Sequence, residues 1–561
     1  MSTKPVAEAI RIESETGPTD ETKSVRVRRG VYSLRNTAGY YMIRVRVPGG
    51  VITSDQFEAV AELSRESGWA PGVHLTTRQG LELAGIPGVA VCNYLTRLEV
   101  AGLTTVLTGG NAVRGVVCCP FAGVAPGEAF DVTPFALAVD RYYREHPALT
   151  RLPRKIKIAF DSCAEDHVRT FFTDIGIRAV RRGEERGFRL IVGGGLGATP
   201  KIGQVLEEFV PVGRLFPTID AILRVFDREG DRNNRARARL KWLLAEWGIE
   251  KFREAVRAEP VDGAFPNELA FHVDDFPLPP VSFLGVGAGA VAADRAQDFS
   301  RWSAANVLRQ RQPGLAAVTI RVPFGDVTPE QLHVVAEAAR LFGGGLRTSI
   351  EQNFVLRGVR LEALAALYQF LLPSGLATCC AGKLLDVTRC VGSSACLSAI
   401  TSSRAAAVDI TRALEAELGY DPSLQHLRVR VSGCPNSCSH HHASDIGLYG
   451  ISKKINGRAV PHYALLAGGS GLGERTGVRV IDVPAARIGA AVERTVRLYR
   501  DERRQDESFP AFVERAGVEH IRESLQPLTE APSVEDDPAF YRDLDAERDF
   551  KVESKKGECH Y

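Results

Sequence analysis

Two distant segments of the chain share one pattern of apolar and polar positions. Residues 45–48 read Val-Arg-Val-Pro and residues 320–323 read Ile-Arg-Val-Pro, at an offset of 275 positions (320 − 45). In both segments apolar and polar residues alternate up to the proline, which is typical of a β-strand that ends there. A match of four positions could arise by chance. Whether the two segments are a true repeat depends on the residues that follow each of them.

Each copy continues into a predicted helix. Thr53 and Gln56 in the first copy, and Thr328 and Gln331 in the second, have the Thr-x-x-Gln spacing of a capping box, which marks a helix start. Apolar residues then recur at helical spacing, namely Phe57, Val60 and Leu63 in the first copy and Leu332, Val335, Ala336 and Ala339 in the second.

A second strand is predicted after each helix, over residues 74–85 and 347–358. The same strand, helix and strand at a near-constant offset favour an internal duplication over two unrelated α+β units. Two such units could share a sheet around a pseudo-two-fold axis, which would bring the loops at residues 78–79 and 351–353 together as counterparts. We therefore predict an internally duplicated α+β fold with a site at this axis.

The duplication divides the chain into six segments. Both ends of the chain are polar and charged, so we expect a flexible tail at residues 1–30 and a C-terminal extension at residues 516–561 that is weakly ordered from about residue 528. Each half-domain would be followed by a larger mixed domain, which gives half-domains at residues 31–100 and 301–375 and larger domains at residues 101–300 and 376–515.

Composition narrows the class of partner. The 561 residues include 70 Lys and Arg against 68 Asp and Glu, a net charge of only +2. This balance gives no reason to expect a nucleic acid or a membrane surface as partner. No stretch approaches the roughly 20 apolar residues of a membrane-spanning helix, and the first thirty residues lack an apolar signal segment. We expect a cytoplasmic protein, in which an anionic substrate would need a local cationic pocket.

Eleven cysteines in such a chain suggest metal binding rather than disulfides, because reducing compartments keep thiols reduced. Cys390 and Cys396 enclose five residues, and Cys434 and Cys438 enclose three. Zinc ribbons usually use two-residue knuckles, which neither pair shows. Buried structural cysteines and a 4Fe-4S cluster both remain open from the spacing alone, although glycines and a proline beside the pairs would supply the loops that a cluster needs. Cys559 lies in the C-terminal extension and is left outside the site.

The two cysteine segments resemble the cluster signature of the siroheme-dependent sulfite and nitrite reductases. They read Cys390-Val-Gly-Ser-Ser-Ala-Cys396 and Val-Ser-Gly-Cys434-Pro-Asn-Ser-Cys438, and Ala-Ser-Asp-Ile-Gly-Leu follows. The resemblance covers residues 35–515 approximately. It implies two ferredoxin-like half-domains, a 4Fe-4S cluster held by all four cysteines, and a siroheme whose iron shares the Cys438 thiolate. The histidine run at residues 440–442 is not an element of this signature, and we predict a solvated loop there.

Three basic stretches are similar to the substrate pocket of that family. They are Thr76-Thr-Arg78-Gln79, Asn111-Ala-Val-Arg114 and Leu152-Pro-Arg154-Lys155-Ile-Lys157. The resemblance implies that Arg78, Arg114, Lys155 and Lys157 bind the anion and deliver protons. Without it, alternation of Lys155 and Lys157 along a strand would indicate an ordinary solvated face.

The siroheme itself carries eight carboxylates and requires basic contacts. The resemblance implies that Arg154 and Asn436 touch it. Gln352 and Asn353, in the loop opposite Arg78, are further predicted cofactor contacts. A basic, helix-like run would neutralise more of the carboxylates, and it comprises Arg232, Arg235, Arg237, Arg239 and Lys241.

The function implied by the resemblance is the six-electron reduction of sulfite to sulfide, with nitrite reduction to ammonia as the alternative. Members that favour sulfite resemble Leu-Pro-Arg-Lys-x-Lys, as in this chain, whereas plant-type nitrite reductases tend to have Asn where Lys157 stands. Residues 113–124, in contrast, look closer to nitrite-type sequences. No flavin or nicotinamide domain is evident, so we expect electrons from ferredoxin or, as second choice, a flavoprotein subunit. A non-catalytic siroheme or cluster carrier and a zinc-stabilised nucleic-acid binder are the other classes considered.

Overall fold

The first half-domain is a five-stranded sheet covered by helices. The structure is a computed structural model that describes residues 3–146, 151–260, 291–473, 475–555 and 557–558. In chain order, the elements up to residue 100 are α1 (Lys4–Thr16), α2 (Asp20–Arg28), β1 (Val31–Ser33), β2 (Tyr40–Val45), β3 (Val51–Ile52), α3 (Ser54–Ser67), β4 (Val73–Leu75), β5 (Leu81–Pro87) and α4 (Val91–Val100).

A larger domain follows and is built on a second five-stranded sheet. Its strands run in the order β6 to β10, the first three parallel and the last two antiparallel. The elements are β6 (Val117–Cys118), α5 (Thr133–Glu145), β7 (Ile158–Asp161), β8 (Ile175–Arg182), β9 (Glu185–Val192), β10 (Gln204–Pro211), α6 (Leu215–Glu229), α7 (Leu240–Trp247) and α8 (Ile249–Ala258).

The second half of the chain repeats both units. Its half-domain consists of α9 (Ala296–Asn306), β11 (Val307–Arg309), β12 (Leu315–Ile320), β13 (Asp326–Val327), α10 (Pro329–Phe342), β14 (Gly345–Thr348), β15 (Phe354–Arg360) and α11 (Leu364–Leu371). Its larger domain consists of β16 (Thr388–Arg389), α12 (Ser403–Glu415), β17 (Val429–Ser432), β18 (Ile446–Ile455), β19 (Arg458–Ala467), β20 (Val478–Pro484), α13 (Ile488–Glu502), α14 (Phe509–Ala516) and α15 (Val518–Leu525).

The two half-domains exchange a short strand. β13 of the second half pairs with β4 of the first, and β3 of the first half pairs with β14 of the second. The predicted capping boxes start α3 and α10, and these two helices pack against each other over a shared hydrophobic core. The ring of Phe57 on α3 meets that of Phe354 on β15, with centroids 5.0 Å apart. The duplicated α+β fold with two ferredoxin-like half-domains is thus confirmed, and the exchanged strands form its pseudo-symmetric interface.

The larger domains repeat each other as well. β16, β17 and β18 are parallel, and β19 and β20 are antiparallel, which is the topology of β6 to β10. Parallel strands need a long connection and end at the same edge of the sheet. The loops after β6, β7, β16 and β17 therefore gather at equivalent edges of the two sheets, where the chain places most of its chemistry.

Three local predictions were wrong. The single strands expected over residues 74–85 and 347–358 are in fact hairpins, β4–β5 and β14–β15, because the turn between each pair of strands contains a glutamine in the left-handed region, Gln79 (φ 60°) and Gln352 (φ 64°). The basic run does not form a helix until Leu240.

The chain termini are the third correction, because both are packed against the core. Helices α1 and α2 occupy the region expected to be a flexible tail, and Arg26 on α2 is fully buried. Arg26 forms ion pairs with Glu13 (2.8 Å) and with Glu558 (3.1 Å) from the opposite end of the sequence. A charge enters the core only when its partners enter with it, so the two termini hold each other in place.

Within the described residues, no helix is both long and apolar enough to cross a membrane.

Candidate active site

Two parallel strands of the second larger domain deliver three of the four predicted cluster cysteines. Cys390 follows β16 directly, and Cys434 and Cys438 lie in the loop after β17. The Cys390 amide donates to the carbonyl of Val431 (3.2 Å), and the Gly433 amide donates to the Cys390 sulfur (3.2 Å). The loops after β16 and β17 are therefore connected by a hydrogen bond to the Cys390 sulfur.

Glycines allow the loops to approach this closely. Gly392 adopts φ +64°, and a Cβ on Gly433 would lie 2.7 Å from the carbonyl oxygen of Thr401. Only glycine fits at such positions without strain. The turn at Gly392 accepts the Cys396 amide at its carbonyl (3.0 Å), which brings the fourth cysteine to the same end of the sheet.

The cysteine thiols are close enough to shift one another's pKa, as expected of the ligands of one metal centre. Burial and the nearby Cys438 and Cys390 raise the pKa of the Cys434 thiol to about 12, while Asn436 donates hydrogen bonds that oppose the rise. Thiolates gathered in this way are stabilised by a metal centre, and loops that supply four of them are the usual setting of a 4Fe-4S cluster.

The loop that carries Arg78 lies against Cys438. The Thr77 hydroxyl donates to the Cys438 carbonyl (2.6 Å), and this bond crosses between the two halves of the molecule. Thr77 and Arg78 line a cavity of about 10 Å³, which has room for roughly one water molecule. The other lining residues are Val117, Lys157, Val168, Arg169, Phe172, Thr173, Ile350 and His440.

The cavity is crowded with cations. Burial and the neighbouring Arg114 lower the pKa of Arg78 to about 9. Burial, together with Arg78 and Lys155, holds the pKa of Lys157 well below its ordinary value. Both shifts have the sign expected where positive charges share a dry site, and a bound anion would reverse them.

Two further predicted basic residues, Arg114 and Arg154, do not line this cavity. Arg114 is buried and donates to the carbonyls of Thr108 (2.5 Å) and Gly110 (2.8 Å), so it also shapes the loop before it. Arg154 donates to the Asn111 side chain (3.2 Å). Asn111 lines a larger cleft of about 230 Å³ whose basic side chains are Arg28, Arg151 and Arg232.

Sequence reasoning missed a buried charge network beside the cavity. Glu351 pairs with Arg169 (2.7 Å) and with Arg430. Burial opposes ionisation of Glu351, yet the two guanidinium groups hold its pKa well below the usual range. The three residues are widely separated in sequence and belong to no common motif, so no local pattern could reveal the network.

Several buried nitrogens facing this region have no partner among the described atoms. They are Arg169 Nε and Nη1, Arg430 Nε and His440 Nδ1. Buried donors are normally satisfied, so unpaired donors next to a cation-lined cavity fit an anionic group bound there. A porphyrin with many carboxylates meets that requirement, and the residues present therefore fit a siroheme.

The histidine run is a correction to the sequence analysis. Residues 440–442 are buried rather than solvated. Burial and nearby cations, first among them Arg169, hold the pKa of His440 well below its ordinary value, so this residue reaches the cavity neutral. His441 is hydrogen-bonded to the Ser432 hydroxyl (2.9 Å) and stacks on Tyr449.

Gln352 and Asn353 form hydrogen bonds within the protein. The Gln352 amide donates to the Leu75 carbonyl (2.6 Å) and accepts from the Arg389 amide (2.9 Å). The Asn353 amide donates to Asp386 (2.6 Å) and accepts from the backbone of Val322 (2.8 Å). Gln352 thereby connects the two halves, whereas both partners of Asn353 lie in the second half. As cofactor contacts the two residues stay predictions.

Family profiles match both repeated units of the chain. The nitrite and sulphite reductase 4Fe-4S domain matches residues 109–262 and 380–532, and the nitrite/sulfite reductase ferredoxin-like half domain matches residues 32–100 and 308–373. The chain belongs to the nitrite and sulfite reductase family. It is therefore an oxidoreductase with two cofactors, siroheme and a 4Fe-4S cluster.

Relatives of both activities resemble the chain. It is 30% identical over 482 residues to a ferredoxin–nitrite reductase of Synechococcus elongatus, covering 83% of this chain and 88% of that protein. It is 28% identical over 502 residues to a ferredoxin-type sulfite reductase of Mycolicibacterium paratuberculosis, covering 86% and 84%. Among solved structures, the NirA protein of Mycobacterium tuberculosis aligns with a TM-score of 0.76 at 25% identity, over 92% of this chain and 95% of that one.

Proposed function

We propose that this enzyme reduces sulfite to sulfide by six electrons, at a siroheme joined to the 4Fe-4S cluster through Cys438. The observation that carries the proposal is the place of Lys157, a half-buried lysine that lines the cavity beside Arg78 and lies within the field of Lys155 and the Cys438 sulfur. Sulfite carries up to two negative charges near neutral pH and nitrite carries one, so an additional cation favours sulfite.

The protein's own groups would bind the anion and manage its protons. When bound, the siroheme and the cluster would supply the six electrons. Arg78 and Arg114 provide fixed donors for oxygen atoms, while Lys155 and Lys157 provide ammonium groups that can give up a proton. Because Lys157 has a lowered pKa, anion binding would draw a proton onto it, and the proton would then be held next to an oxygen that must leave as water.

Thr77 has a positioning task in this proposal. Its hydrogen bond to the Cys438 carbonyl fixes the Arg78 loop relative to the thiolate that links the two cofactors. The guanidinium would then be held in one position at the cavity, which is what preorganised electrostatic stabilisation requires.

Nitrite is the second candidate substrate, and ferredoxin the first candidate donor. Several similar proteins are named as ferredoxin-dependent nitrite reductases, including one from Haloferax mediterranei that is 26% identical over 532 residues. Ferredoxin is also the donor named for the sulfite-reducing relative. A flavoprotein subunit remains the second choice of donor.

The deciding experiment compares kcat/KM for sulfite and nitrite with reduced methyl viologen as donor. We expect the parent enzyme to prefer sulfite. Lys157→Asn should lower the sulfite-to-nitrite ratio about tenfold or more, because it removes one charge next to the anion. Lys201→Asn is the matched control, since Lys201 is exposed and lies outside the cavity lining, and its ratio should equal that of the parent.

A parent that prefers nitrite would replace the main proposal with the second candidate. A ratio unchanged in Lys157→Asn would show that this lysine does not select the anion. If neither anion were reduced by protein with full siroheme and cluster absorption, the chain would be a cofactor carrier instead.

A further inference from the structure

A second group of metal-ligand side chains lies at the sheet edge of the first larger domain. Cys119 follows β6, and Asp161, Cys163 and His167 end β7 or lie in the loop after it. One ligand atom from each of the four residues lies within 4.8 Å of all the others. The two sulfurs are 3.7 Å apart, and the Cys119 sulfur is 3.4 Å from His167 Nδ1.

These distances match the edges of a tetrahedron around one ion. With zinc bonds of about 2.3 Å to sulfur and about 2.05 Å to nitrogen, tetrahedral angles place two sulfurs about 3.8 Å apart and a sulfur and a nitrogen about 3.5 Å apart. A disulfide would need sulfurs about 2.05 Å apart. The spacing therefore fits two thiolates on a common ion.

Asp161 supplies an independent indication of a ligand. Its side chain is fully buried, one carboxylate oxygen accepts from the Cys163 amide (2.8 Å), and the other, Oδ2, has no partner among the described atoms. A buried carboxylate oxygen without a partner is costly, and coordination to a cation removes the cost.

The group occupies the position of the cluster in the duplicated fold. Cys119, Cys163 and His167 precede Cys390, Cys434 and Cys438 by the same 271 positions (390 − 119, 434 − 163, 438 − 167). The backbone around them corresponds as well. The Lys157 amide donates to Asp174 (2.9 Å) just as the Arg428 amide, 271 positions later, donates to Asp445 (2.9 Å).

The first half cannot hold the same cluster. The position that corresponds to Cys396 is Ala125, so the fourth thiolate is missing. Among the described residues, the four cluster cysteines do not come as close together as this group does. A cubane spreads its thiolates over four irons, whereas two sulfurs, one imidazole and one carboxylate in close contact suit a single tetrahedral ion.

We propose that Cys119, Asp161, Cys163 and His167 bind one zinc ion at the pseudo-symmetric counterpart of the 4Fe-4S cluster. Four protein ligands close the coordination sphere, so the ion is structural. The two thiols release their protons to solvent as they bind it. This site is independent of which anion the enzyme reduces.

The zinc would fix one wall of the active site. The loop after β7 runs directly from His167 to Val168 and Arg169, which line the cavity, and β6 begins at Val117, which lines it as well and lies two residues before Cys119. An ion that ties Cys119 to this loop would therefore hold both segments at a constant distance across the cavity.

The test uses the complete holoenzyme and measures its zinc content. The iron of the cofactors does not interfere, because the two elements are measured separately. Elemental analysis of protein purified from zinc-containing medium should give about one zinc per chain. X-ray absorption at the zinc edge should show two sulfurs at about 2.3 Å and two nitrogen or oxygen ligands at about 2.0–2.1 Å. Fewer than about 0.2 zinc per chain, a four-sulfur shell, or a Cys119–Cys163 disulfide found by peptide mass spectrometry would overturn the proposal.

Variants locate the metal within the chain. Cys163→Ser and His167→Ala should reduce the bound zinc at least fivefold while siroheme and cluster absorption stays at the parent level. Cys379→Ser is the matched control, because Cys379 lies outside this group, and it should retain the zinc. Zinc retained in both site variants would also overturn the proposal. If either variant fails to fold, the X-ray absorption spectrum of the parent at the zinc edge still decides between the outcomes.

Discussion

The two larger domains have the same sheet topology but differ in what their strand ends carry. β16 and β17 end in loops with three of the cysteines predicted to hold the cluster, and the turn at Cys396 carries the fourth. β6 and β7 end in loops with two cysteines, one histidine and one buried aspartate. Both sets occupy the same edge of the same kind of sheet. The backbone therefore determines where a metal centre can form, and a few side chains determine which one forms.

The half-domains differ in charge at their corresponding loops. Gln79 and Gln352 occupy equivalent turns 273 positions apart (352 − 79), and the residues before them are Arg78 and Glu351. Arg78 lines the cavity, where its strongest charged neighbour is Arg114, whereas Glu351 forms ion pairs with Arg169 and Arg430. In our proposal, the change from Arg78 to Glu351 at equivalent positions makes the first half-domain bind the anion, whereas in the second the charge is used in ion pairs within the protein.

The largest expected effect comes from breaking the cluster in one half only. Cys438→Ser should abolish turnover and remove both cofactor spectra, because in our proposal one thiolate serves the cluster and the siroheme iron. His167→Ala, at the equivalent position of the first half, should keep both spectra. Visible absorption of the two purified variants makes the comparison, and two retained spectra in Cys438→Ser would refute the bridge.

A smaller effect is expected from the cationic side of the axis. Arg78→Ala and Lys155→Ala should keep the colour of the parent and lose roughly 10²–10³ in kcat, the usual cost of removing one preorganised electrostatic contact. Arg257→Ala, which removes the exposed ion pair between Arg257 and Glu207, should keep the kcat of the parent. Parent-level kcat in either pocket variant would exclude that residue from catalysis.

The smallest effect concerns Asp174 and Asp445, which occupy equivalent positions in the two larger domains. Burial raises the pKa of Asp445 to about 6, whereas Asp174 forms an ion pair with Arg239 (2.7 Å). The folded protein therefore keeps a proton on Asp445 that the unfolded chain releases, and stability should fall as pH rises from about 4 to about 6. Above this range the loss stays constant, on the order of 3 kcal/mol.

Asp445→Asn should flatten that fall, because the amide does not titrate. Asp174→Asn should instead destabilise the protein throughout this range, because Arg239 would lose its partner. Urea unfolding of both variants and the parent at several pH values measures the difference. An equal pH dependence in the parent and in Asp445→Asn would contradict the assignment to this carboxyl.

Much of the fold could be predicted because its signals are local. The two capping boxes, the apolar spacing of α3 and α10, and the Val/Ile-Arg-Val-Pro repeat lie within short windows, and each depends on contacts between near neighbours in sequence. The two cysteine pairs are also local signals, since the members of each pair lie within seven residues of each other. Resemblance to a family then added the basic stretches around Arg78, Arg114 and Lys157.

Only the tertiary structure decided the remaining features, because they depend on contacts between residues far apart in sequence. The exchange of β3 and β13, the burial of residues 440–442 and the Glu351 network join segments separated by tens to hundreds of positions. Cys119, Asp161, Cys163 and His167 likewise show no motif in sequence. They become a candidate zinc site because two parallel strands end side by side, and that pairing is determined by packing of the whole domain rather than by any local preference.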